Sequence, residues 1–298
     1  MNKNIFCWCH YDLDGLCSSL IVKWVHPDSK IEFKATTPQD FREDFLEWLV
    51  HHGIYNYDRI YIVDLDVLEH VDIIDKENIF VVDHHQKTPD TSKFQKATVI
   101  VKEYSSCAKL LYKVFKKMYN KEFTEKQKEL IVITDDYDSY SLKIPISHDL
   151  NSVFWGTHNA FPVLMEYFKD GFCPLNEQQL SIARIHDIEV KEIIEKAIFF
   201  KCEEFPFAKK KYTVISTLAN KHVNDVSDYI FAKFKPDVVF IVNTKSNRVN
   251  LRRRNDIDIN LAKLAEKLCD GGGHEYSAGG VLTENFIEIT KNFKPICQ

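Results

Sequence analysis

The sequence has no apolar run of about 18 residues, no Cys-x-x-Cys pair, no internal repeat and no low-complexity segment. The first absence excludes a membrane-spanning helix, and the N-terminus lacks the basic, apolar and small-residue order of a signal peptide. Eight cysteines are present, and most of them lie within apolar runs. We therefore expect reduced, buried cysteines, no disulfide framework and a cytoplasmic protein.

The size and charge of the chain are typical of two soluble domains that differ in charge. Its 298 residues suffice for two domains of ordinary size, and 45% hydrophobic residues allow each to bury a core. The net charge of -5 hides an asymmetry, because residues 205–298 carry 15 Lys and Arg against 10 Asp and Glu, and the remainder carries 24 against 34. This split favours metal binding in the acidic part and polyanion binding in the basic part.

Apolar runs and helical spacing alternate along the first half, which predicts a mostly parallel α/β sheet with helices on both faces. The predicted strands are 5–8, 30–35, 59–63 and 78–82, and the main helices are 16–25, 41–51, 105–119 and 125–134. A loop-rich stretch at 141–175 and a long helix at 176–200 follow. The second half predicts strands at 211–216, 237–242 and 248–252, with helices at 223–234 and 259–268. We expect domains at 1–150 and 205–298, joined by a loop and helical linker at 151–204.

The first predicted strand is followed at once by Cys9-His10-Tyr11-Asp12-Leu13-Asp14-Gly15. Open α/β sheets place their sites at the carboxyl ends of strands. Carboxylates this close repel one another unless a cation holds them, and carboxylate oxygens with imidazole suit Mn²⁺, Mg²⁺ or Zn²⁺. The alternative is an Asp that caps the following helix.

Three further clusters of acidic or histidine residues lie at predicted element ends. These are Asp64 with Asp66, then Asp83-His84-His85, and then Asp135, Asp136 and Asp138. A helix N-cap is the alternative for Asp64, and a solvated helix end is the alternative for the last cluster. Together the clusters predict a site for two ions about 3.5–4 Å apart, with at least one bridging carboxylate.

The C-terminal half contains a glycine run, Gly271-Gly272-Gly273, followed by His274. Consecutive glycines let backbone N–H groups approach a phosphate closely, and His274 adds a possible donor. A flexible turn is the alternative. The stretch Arg252-Arg253-Arg254 is either a solvated charge run or the source of an Arg fork for a phosphate.

These motifs resemble, in order and spacing, those of the DHH phosphoesterase superfamily. The His10-x-Asp12-x-Asp14-Gly15 stretch, Asp64, Asp83-His84-His85 and the acids at 135–138 match its four motifs, and Arg252 with the glycine run and His274 resembles its DHHA1 domain. The resemblance covers nearly the whole chain. The first motif is most similar to the nanoRNase and oligoribonuclease branch, and the exonuclease RecJ is a larger relative.

The resemblance implies two divalent ions, with Mn²⁺ preferred and Mg²⁺ possible. The implied ligands are His10, Asp12 and Asp64 for one ion, and Asp14, Asp64, His84 and one acid of 135–138 for the other. Asp135 is favoured among those acids because it directly follows the predicted helix, while Asp136 and Asp138 stay open. The implied catalytic residues are Asp64, as the bridge, and His85, at the scissile phosphate. Arg252, Gly271, Gly272, Gly273 and His274 would bind the phosphate end of the substrate.

The implied activity is hydrolysis of short single-stranded oligonucleotides to mononucleotides, with a homodimer as the assembly and no membrane partner. The alternatives are a phosphatase for 3'-phosphoadenosine 5'-phosphate, a cyclic or linear dinucleotide phosphodiesterase of the c-di-AMP type, and a non-catalytic nucleotide sensor. Inorganic pyrophosphatases share the first domain but lack the glycine–histidine loop. The extra domains of RecJ are absent from this sequence.

Overall fold

A computed structural model describes residues 3–86, 89–254, 256–273 and 275–296. The chain forms two units, residues 1–184 and 185–298. Among the described residues, no helix is both long enough and apolar enough to cross a bilayer.

The first unit is built on a parallel five-stranded sheet with the strand order β2-β1-β3-β4-β5. Its strands are β1 (Asn4–His10), β2 (Lys30–Thr36), β3 (Arg59–Val63), β4 (Ile79–Asp83) and β5 (Thr98–Val101). Its helices are α1 (Leu13–Val25), α2 (Phe41–His52), α3 (Val71–Ile74), α4 (Cys107–Met118), α5 (Glu125–Asp138), α6 (Pro145–Gly156) and α7 (Ala160–Tyr167), with 3-10 turns at Ile54–Asn56 and Leu68–His70. Helix α8 (Glu177–Lys196) continues from this unit into the next.

The side chains of β1 divide between two cores, because successive residues of a strand point to opposite faces of the sheet. Cys7 and Cys9 pack with α1 and α4–α7 on one face, whereas Phe6 and Trp8 pack with α2 and its neighbours on the other. Helix α1 is buried on nearly every side. It therefore occupies the centre of the first core, directly after the strand that carries the first motif.

The second unit is built on a seven-stranded mixed sheet with the order β10-β11-β9-β8-β7-β6-β12. Its strands are β6 (Phe199–Phe207), β7 (Lys210–Leu218), β8 (Val238–Asn243), β9 (Arg248–Arg253), β10 (Gly272–Gly273), β11 (Ser277–Val281) and β12 (Lys294–Ile296). Its helices are α9 (Val223–Phe234), α10 (Leu261–Cys269) and α11 (Glu284–Thr290). Helix α9 packs on one face of the sheet, and α10 and α11 pack on the other.

The predicted fold class is confirmed: a parallel α/β sheet flanked by helices precedes a smaller α/β unit. Two details of the prediction were wrong. The stretch 141–175 is largely helical, because Pro145 occupies the first turn of α6, where its missing N–H costs nothing. The long helix ends at Lys196, and Phe199 already begins β6. Because α6 and α7 pack in the first core, the first unit extends past the predicted boundary at residue 150.

Seven of the eight cysteines lie in the described part of the chain, and all seven are free thiols. Cys7, Cys9, Cys17, Cys107 and Cys269 are buried, and Cys173 and Cys202 are partly buried. Burial raises the pKa of Cys7 to about 12, which keeps this thiol protonated and unreactive. Cys297 lies outside the described residues.

The substitution Gly15→Ala should strongly destabilise the protein. A Cβ atom at this position would lie 2.1 Å from the carbonyl oxygen of His10, so the first turn of α1 would have to move away from β1. We expect the free energy of unfolding to fall by about 3 kcal/mol, measured by urea denaturation. The control is Gly272→Ala, because no atom lies within 4 Å of its added Cβ. An equal loss in the two variants would contradict the packing argument.

Candidate metal centre

The strand order brings the three N-terminal motifs to one edge of the first sheet. Strands β1, β3 and β4 are neighbours and run parallel, so their carboxyl ends meet. His10 is the last residue of β1, Asp64 follows β3, and His84 follows β4. The chain changes direction across the sheet between β1 and β3, which is where open α/β sheets form their binding crevice.

Asp64 is the most constrained carboxylate of this group. Its side chain is only 1% exposed, and neither oxygen accepts a hydrogen bond from a described residue. Its backbone is left-handed at φ 59°, a conformation that most residues avoid. Burial, together with the charges of Asp14, Asp12 and Asp138, raises its pKa well above the usual range. A buried carboxylate without donors is costly unless a cation binds it.

Asp64 lies between two sets of potential metal ligands, one containing His10 and the other containing His84. In the first set, His10 Nδ1 lies 2.6 Å from Asp12 Oδ2 and 3.9 Å from Asp64 Oδ2. The buried His10 nitrogen has no partner in hydrogen-bond geometry among the described residues. Oxygen and nitrogen atoms that point at one another without hydrogen-bond geometry fit ligands of a shared ion. This first set contains the three residues that the resemblance implied for one ion.

The second set is centred on His84. Its Nε2 lies 3.3 Å from Asp64 Oδ1, 3.5 Å from Asp138 Oδ2 and 3.7 Å from Asp14 Oδ2. Ions with ligand bonds of about 2.1 Å hold neighbouring ligand atoms about 3.0–3.4 Å apart, so these separations fit a common ion with little adjustment. Asp64 faces His10 with one oxygen and His84 with the other, which is the geometry of a bridging carboxylate.

Both histidines after β4 are oriented by groups on their Nδ1 side. His84 Nδ1 lies 3.1 Å from the carbonyl oxygen of Tyr104, so this nitrogen carries the proton and Nε2 presents its lone pair to the carboxylates. His85 Nδ1 lies 2.6 Å from Asp83 Oδ1. Burial opposes a charge on His85, but Asp83 outweighs it and raises the pKa of His85 to about 8. The sequence gives no signal for Tyr104, because a backbone carbonyl is present at every residue.

Asp12 and Asp14 also hold helices in place. Asp12 Oδ1 accepts a hydrogen bond of 2.8 Å from Gly15 N and caps α1, so the capping alternative holds alongside the metal prediction. Asp14 accepts 2.7 and 2.9 Å hydrogen bonds from the first N–H groups of α4, those of Cys107 and Ala108. These donors satisfy one lone pair on each Asp14 oxygen and leave others for an ion.

Of the three acids at 135–138, the structure brings only Asp138 to His84. Helix α5 does not end at Thr134 as predicted but continues to Asp138. Asp138 therefore lies one helical turn after the buried Thr134, on the face that looks into the site. Burial, with the charges of Asp14 and Asp12, raises the pKa of Asp138 well above the usual range.

The favoured acid, Asp135, lies elsewhere, and so does Asp136. Asp135 accepts hydrogen bonds from Ser105 and Ser106 and pairs with Lys109 Nζ at 2.5 Å, at the start of α4. Asp136 accepts hydrogen bonds from the backbone N–H groups of 143 and 144 and from a serine hydroxyl, at the start of α6. The predicted end at Thr134 was wrong because Asp135 and Asp136, although poor helix formers, continue the helix after its apolar stripe.

In the second unit, the three consecutive arginines at 252–254 differ in their surroundings. Arg253 and Arg254 are held by the backbone and carboxylates of nearby loops. Among the described residues, Arg252 donates to the carbonyl of Leu251 and, at 3.1 Å, to Asn224 Oδ1 of α9. Of the three arginines in this run, Arg252 therefore has the donors least committed to nearby loops.

The glycine run forms β10 rather than a phosphate loop at a helix start. Gly272 pairs with Gly279, and Gly273 pairs with Ala278. A Cβ at Gly271 would lie 2.0 Å from Gly279 O, so its lack of a side chain serves the contact with β11. Around Gly272, by contrast, the space is open. His274 lies outside the described residues.

Comparisons with known families identify both units. Residues 4–136 match the DHH family, N-terminal domain, and residues 209–298 match the DHHA1 domain. The two matches cover about three quarters of the chain, in the order that the sequence predicted. The chain therefore belongs to the DHH family and carries a DHHA1 domain. No curated protein matches the sequence.

Solved structures with the same fold include an exopolyphosphatase-related protein from Bacteroides fragilis, at 15% identity and TM-score 0.57, with 97% of this chain and 91% of that chain covered. The pGpG-specific phosphodiesterase PggH from Vibrio cholerae has 13% identity and TM-score 0.58, with 97% and 96% covered. An exonuclease RecJ bound to manganese has 14% identity and TM-score 0.58, with 98% and 89% covered. At these identities the likeness concerns the fold.

Replacing the acids of α5 one at a time should separate their roles. We expect Asp138→Asn to weaken Mn²⁺ binding at least about 10-fold, because the carboxylate nearest His84 on this helix is lost. Asp135→Asn should leave Mn²⁺ affinity unchanged and lower the free energy of unfolding by about 1 kcal/mol, through its contacts with α4. Isothermal titration with Mn²⁺ and urea denaturation measure the two effects. The reverse pattern would move the ligand to Asp135.

Proposed function

We propose that this member of the DHH family is a metal-dependent phosphodiesterase that hydrolyses short oligonucleotides to mononucleotides. The observation that carries the proposal is Asp64, a buried carboxylate whose two oxygens accept no hydrogen bond from the described residues and face His10 and His84. A carboxylate of this kind between two ligand sets is the arrangement of a two-metal hydrolase.

The proposed ligands are His10, Asp12 and Asp64 for one ion and Asp14, Asp64, His84 and Asp138 for the other. Four carboxylates in so small a volume repel one another, and two divalent cations balance their charge. The carboxylate and imidazole set suits Mn²⁺ or Mg²⁺. The RecJ structure with the same fold binds manganese, which supports Mn²⁺ as the first choice.

Divalent ions bound there supply a water of lowered pKa and neutralise charge on a phosphodiester. The protein contributes His85, whose Nδ1 is held 2.6 Å from Asp83 Oδ1. With this nitrogen bound to Asp83, Nε2 is the atom that donates a hydrogen bond to a phosphate oxygen. Asp83 also stabilises the charged imidazolium, so His85 offers a cationic donor near neutral pH. We assign His85 to the scissile phosphate on these grounds.

The second unit offers a separate set of groups for a phosphate end. Arg252, with Asn224 on its Nη2, presents a guanidinium that suits a bidentate phosphate contact. No atom of a described residue lies within 4 Å of a Cβ added at Gly272, and His274 comes two residues later in the sequence. A binding set for one terminal phosphate favours substrates that carry such a phosphate.

An aromatic pair beside the first motif suits a nucleobase. Tyr11 lies between His10 and Asp12 in the chain, and its ring is 6.1 Å from that of Trp155. Trp155 is 58% exposed, whereas the other three tryptophans are buried. Exposed aromatic rings stack on bases with little sequence preference. This pair favours nucleotide substrates over pyrophosphate.

A substrate panel with Mn²⁺ tests the proposed activity. We expect turnover of pApA and pGpG, with weak activity on longer oligonucleotides, 3'-phosphoadenosine 5'-phosphate, cyclic di-AMP and pyrophosphate. The variants Asp64→Asn and His84→Ala should each lose at least about 100-fold in kcat/KM, because each removes a proposed ligand. Full activity in either variant, or turnover of cyclic di-AMP without turnover of the dinucleotides, would refute the proposal.

The phosphate role of Arg252 predicts a defect in substrate affinity. We expect Arg252→Ala to raise KM for pApA about 10-fold or more with a smaller change in kcat, because a charge-assisted contact to the phosphate end is lost. Arg254→Ala is the matched control, since its guanidinium is paired with Asp256 at 2.7 Å. Steady-state kinetics would argue against the assignment if both variants raised KM equally.

A further inference from the structure

Two segments of the second unit carry the same short pattern, a histidine followed three residues later by a carboxylate. His186 and Glu189 lie on α8, and His222 and Asp225 lie at the start of α9. Residues three apart on a helix share a face. The two pairs therefore present two imidazoles and two carboxylates to one another, outside the candidate metal centre of the first unit.

The pairs meet crosswise. His186 Nε2 lies 3.6 Å from Asp225 Oδ2, and His222 Nε2 lies 2.8 Å from Glu189 Oε2. The two imidazole rings are 4.3 Å apart between centroids and nearly perpendicular, at 81°. One ligand atom each from His186, His222 and Asp225 falls within 4.8 Å of the others. Three donor atoms thus surround one small volume.

We propose that His186, His222 and Asp225 form a separate site for one zinc ion. Zinc bonds to imidazole and carboxylate are about 2.0–2.2 Å long, so tetrahedral ligands lie about 3.3–3.5 Å apart. The 3.6 Å separation of His186 and Asp225 is close to this spacing. Two nitrogens and one oxygen are a ligand set that zinc accepts readily, with water as the fourth ligand. The proposal does not depend on the phosphodiesterase activity.

The surroundings of the site favour a dication. Glu189 binds one nitrogen of His222, which is how a carboxylate orients a metal-bound imidazole and leaves its other nitrogen to the ion. Asp187 adds a third carboxylate, 3.6 Å from His186 Nδ1, while Lys221 adds one positive charge at Glu189. Three carboxylates and one ammonium leave two negative charges for the ion to balance.

Burial of the three side chains and backbone strain at His222 also support an ion at this site. The side chains of His186, His222 and Asp225 are only 10%, 15% and 18% exposed. His222 is left-handed at φ 53°, a conformation that costs energy for a residue other than glycine. A bound ion would hold this residue and fasten the start of α9 to α8. Because Asn224 follows two residues later and contacts Arg252, the ion would also steady that arginine.

Zinc stoichiometry in full-length protein tests the site. The background is the double variant Asp64→Asn, His84→Ala, which removes from the first unit the proposed bridging carboxylate and the histidine of the second ligand set. We expect this background to bind one tight equivalent of Zn²⁺ in competition with a chromophoric chelator, and to give the visible absorption of four-coordinate Co²⁺. Adding His186→Ala or Asp225→Asn should weaken zinc at least about 10-fold and abolish the cobalt band.

His51→Ala is the control, because it removes an exposed histidine on α2 and should leave the stoichiometry unchanged. Asp225→Asn keeps the side-chain shape, and its circular dichroism spectrum reports whether the second unit is folded. The proposal is overturned if the background variant binds no tight zinc, or if His186→Ala and Asp225→Asn bind as much zinc as the control. The four residues would then form histidine–carboxylate pairs only.

Discussion

The structure of the first unit depends on burying negative charge at one edge of a parallel sheet. Asp64 is buried and accepts no hydrogen bond in the part of the chain that the structure describes, and Asp14, Asp64 and Asp138 all lie close to His84. Burial and the neighbouring negative charges favour the protonated form of such carboxylates, as the raised pKa values of Asp64 and Asp138 indicate. The fold tolerates this arrangement because cations can complete it.

The parallel sheet and the placement of His10, Asp64 and His84 at its strand ends could be predicted from the sequence alone. Each residue follows an apolar run of strand length, and parallel strands deliver such residues to one edge. The acid that α5 brings close to His84 could not be predicted in the same way. Helix ends depend on capping and tertiary contacts that a propensity pattern does not contain. Because α5 continues one turn past its predicted end, Asp138 rather than Asp135 lies near His84.

The glycine run illustrates a second limit of prediction from the sequence. Glycines suit both close phosphate contact and close strand contact, and only the packing distinguishes these uses. Gly271 and Gly273 are explained by the approach of β11, whereas Gly272 has no packing reason to lack a side chain. The three consecutive arginines also differ in their contacts. Arg253 and Arg254 bind groups of nearby loops, whereas Arg252 contacts Asn224 of α9. The His-x-x-acid pairs on α8 and α9 lie more than 30 residues apart in the sequence, so their contact with one another could not be predicted from it.

Asp12 and Asp14 each serve the fold as well as the centre, because they hold the first turns of α1 and α4. Neither Asp64 nor His84 caps a helix in the described part of the chain, although His84 Nδ1 donates to the carbonyl oxygen of Tyr104. Mutational drift in a gene copy released from selection for catalysis would therefore not erase the motif evenly. Such a pseudoenzyme would keep the two aspartates that hold helix starts and would lose residues whose proposed role is to bind ions. This uneven loss would be visible in an alignment.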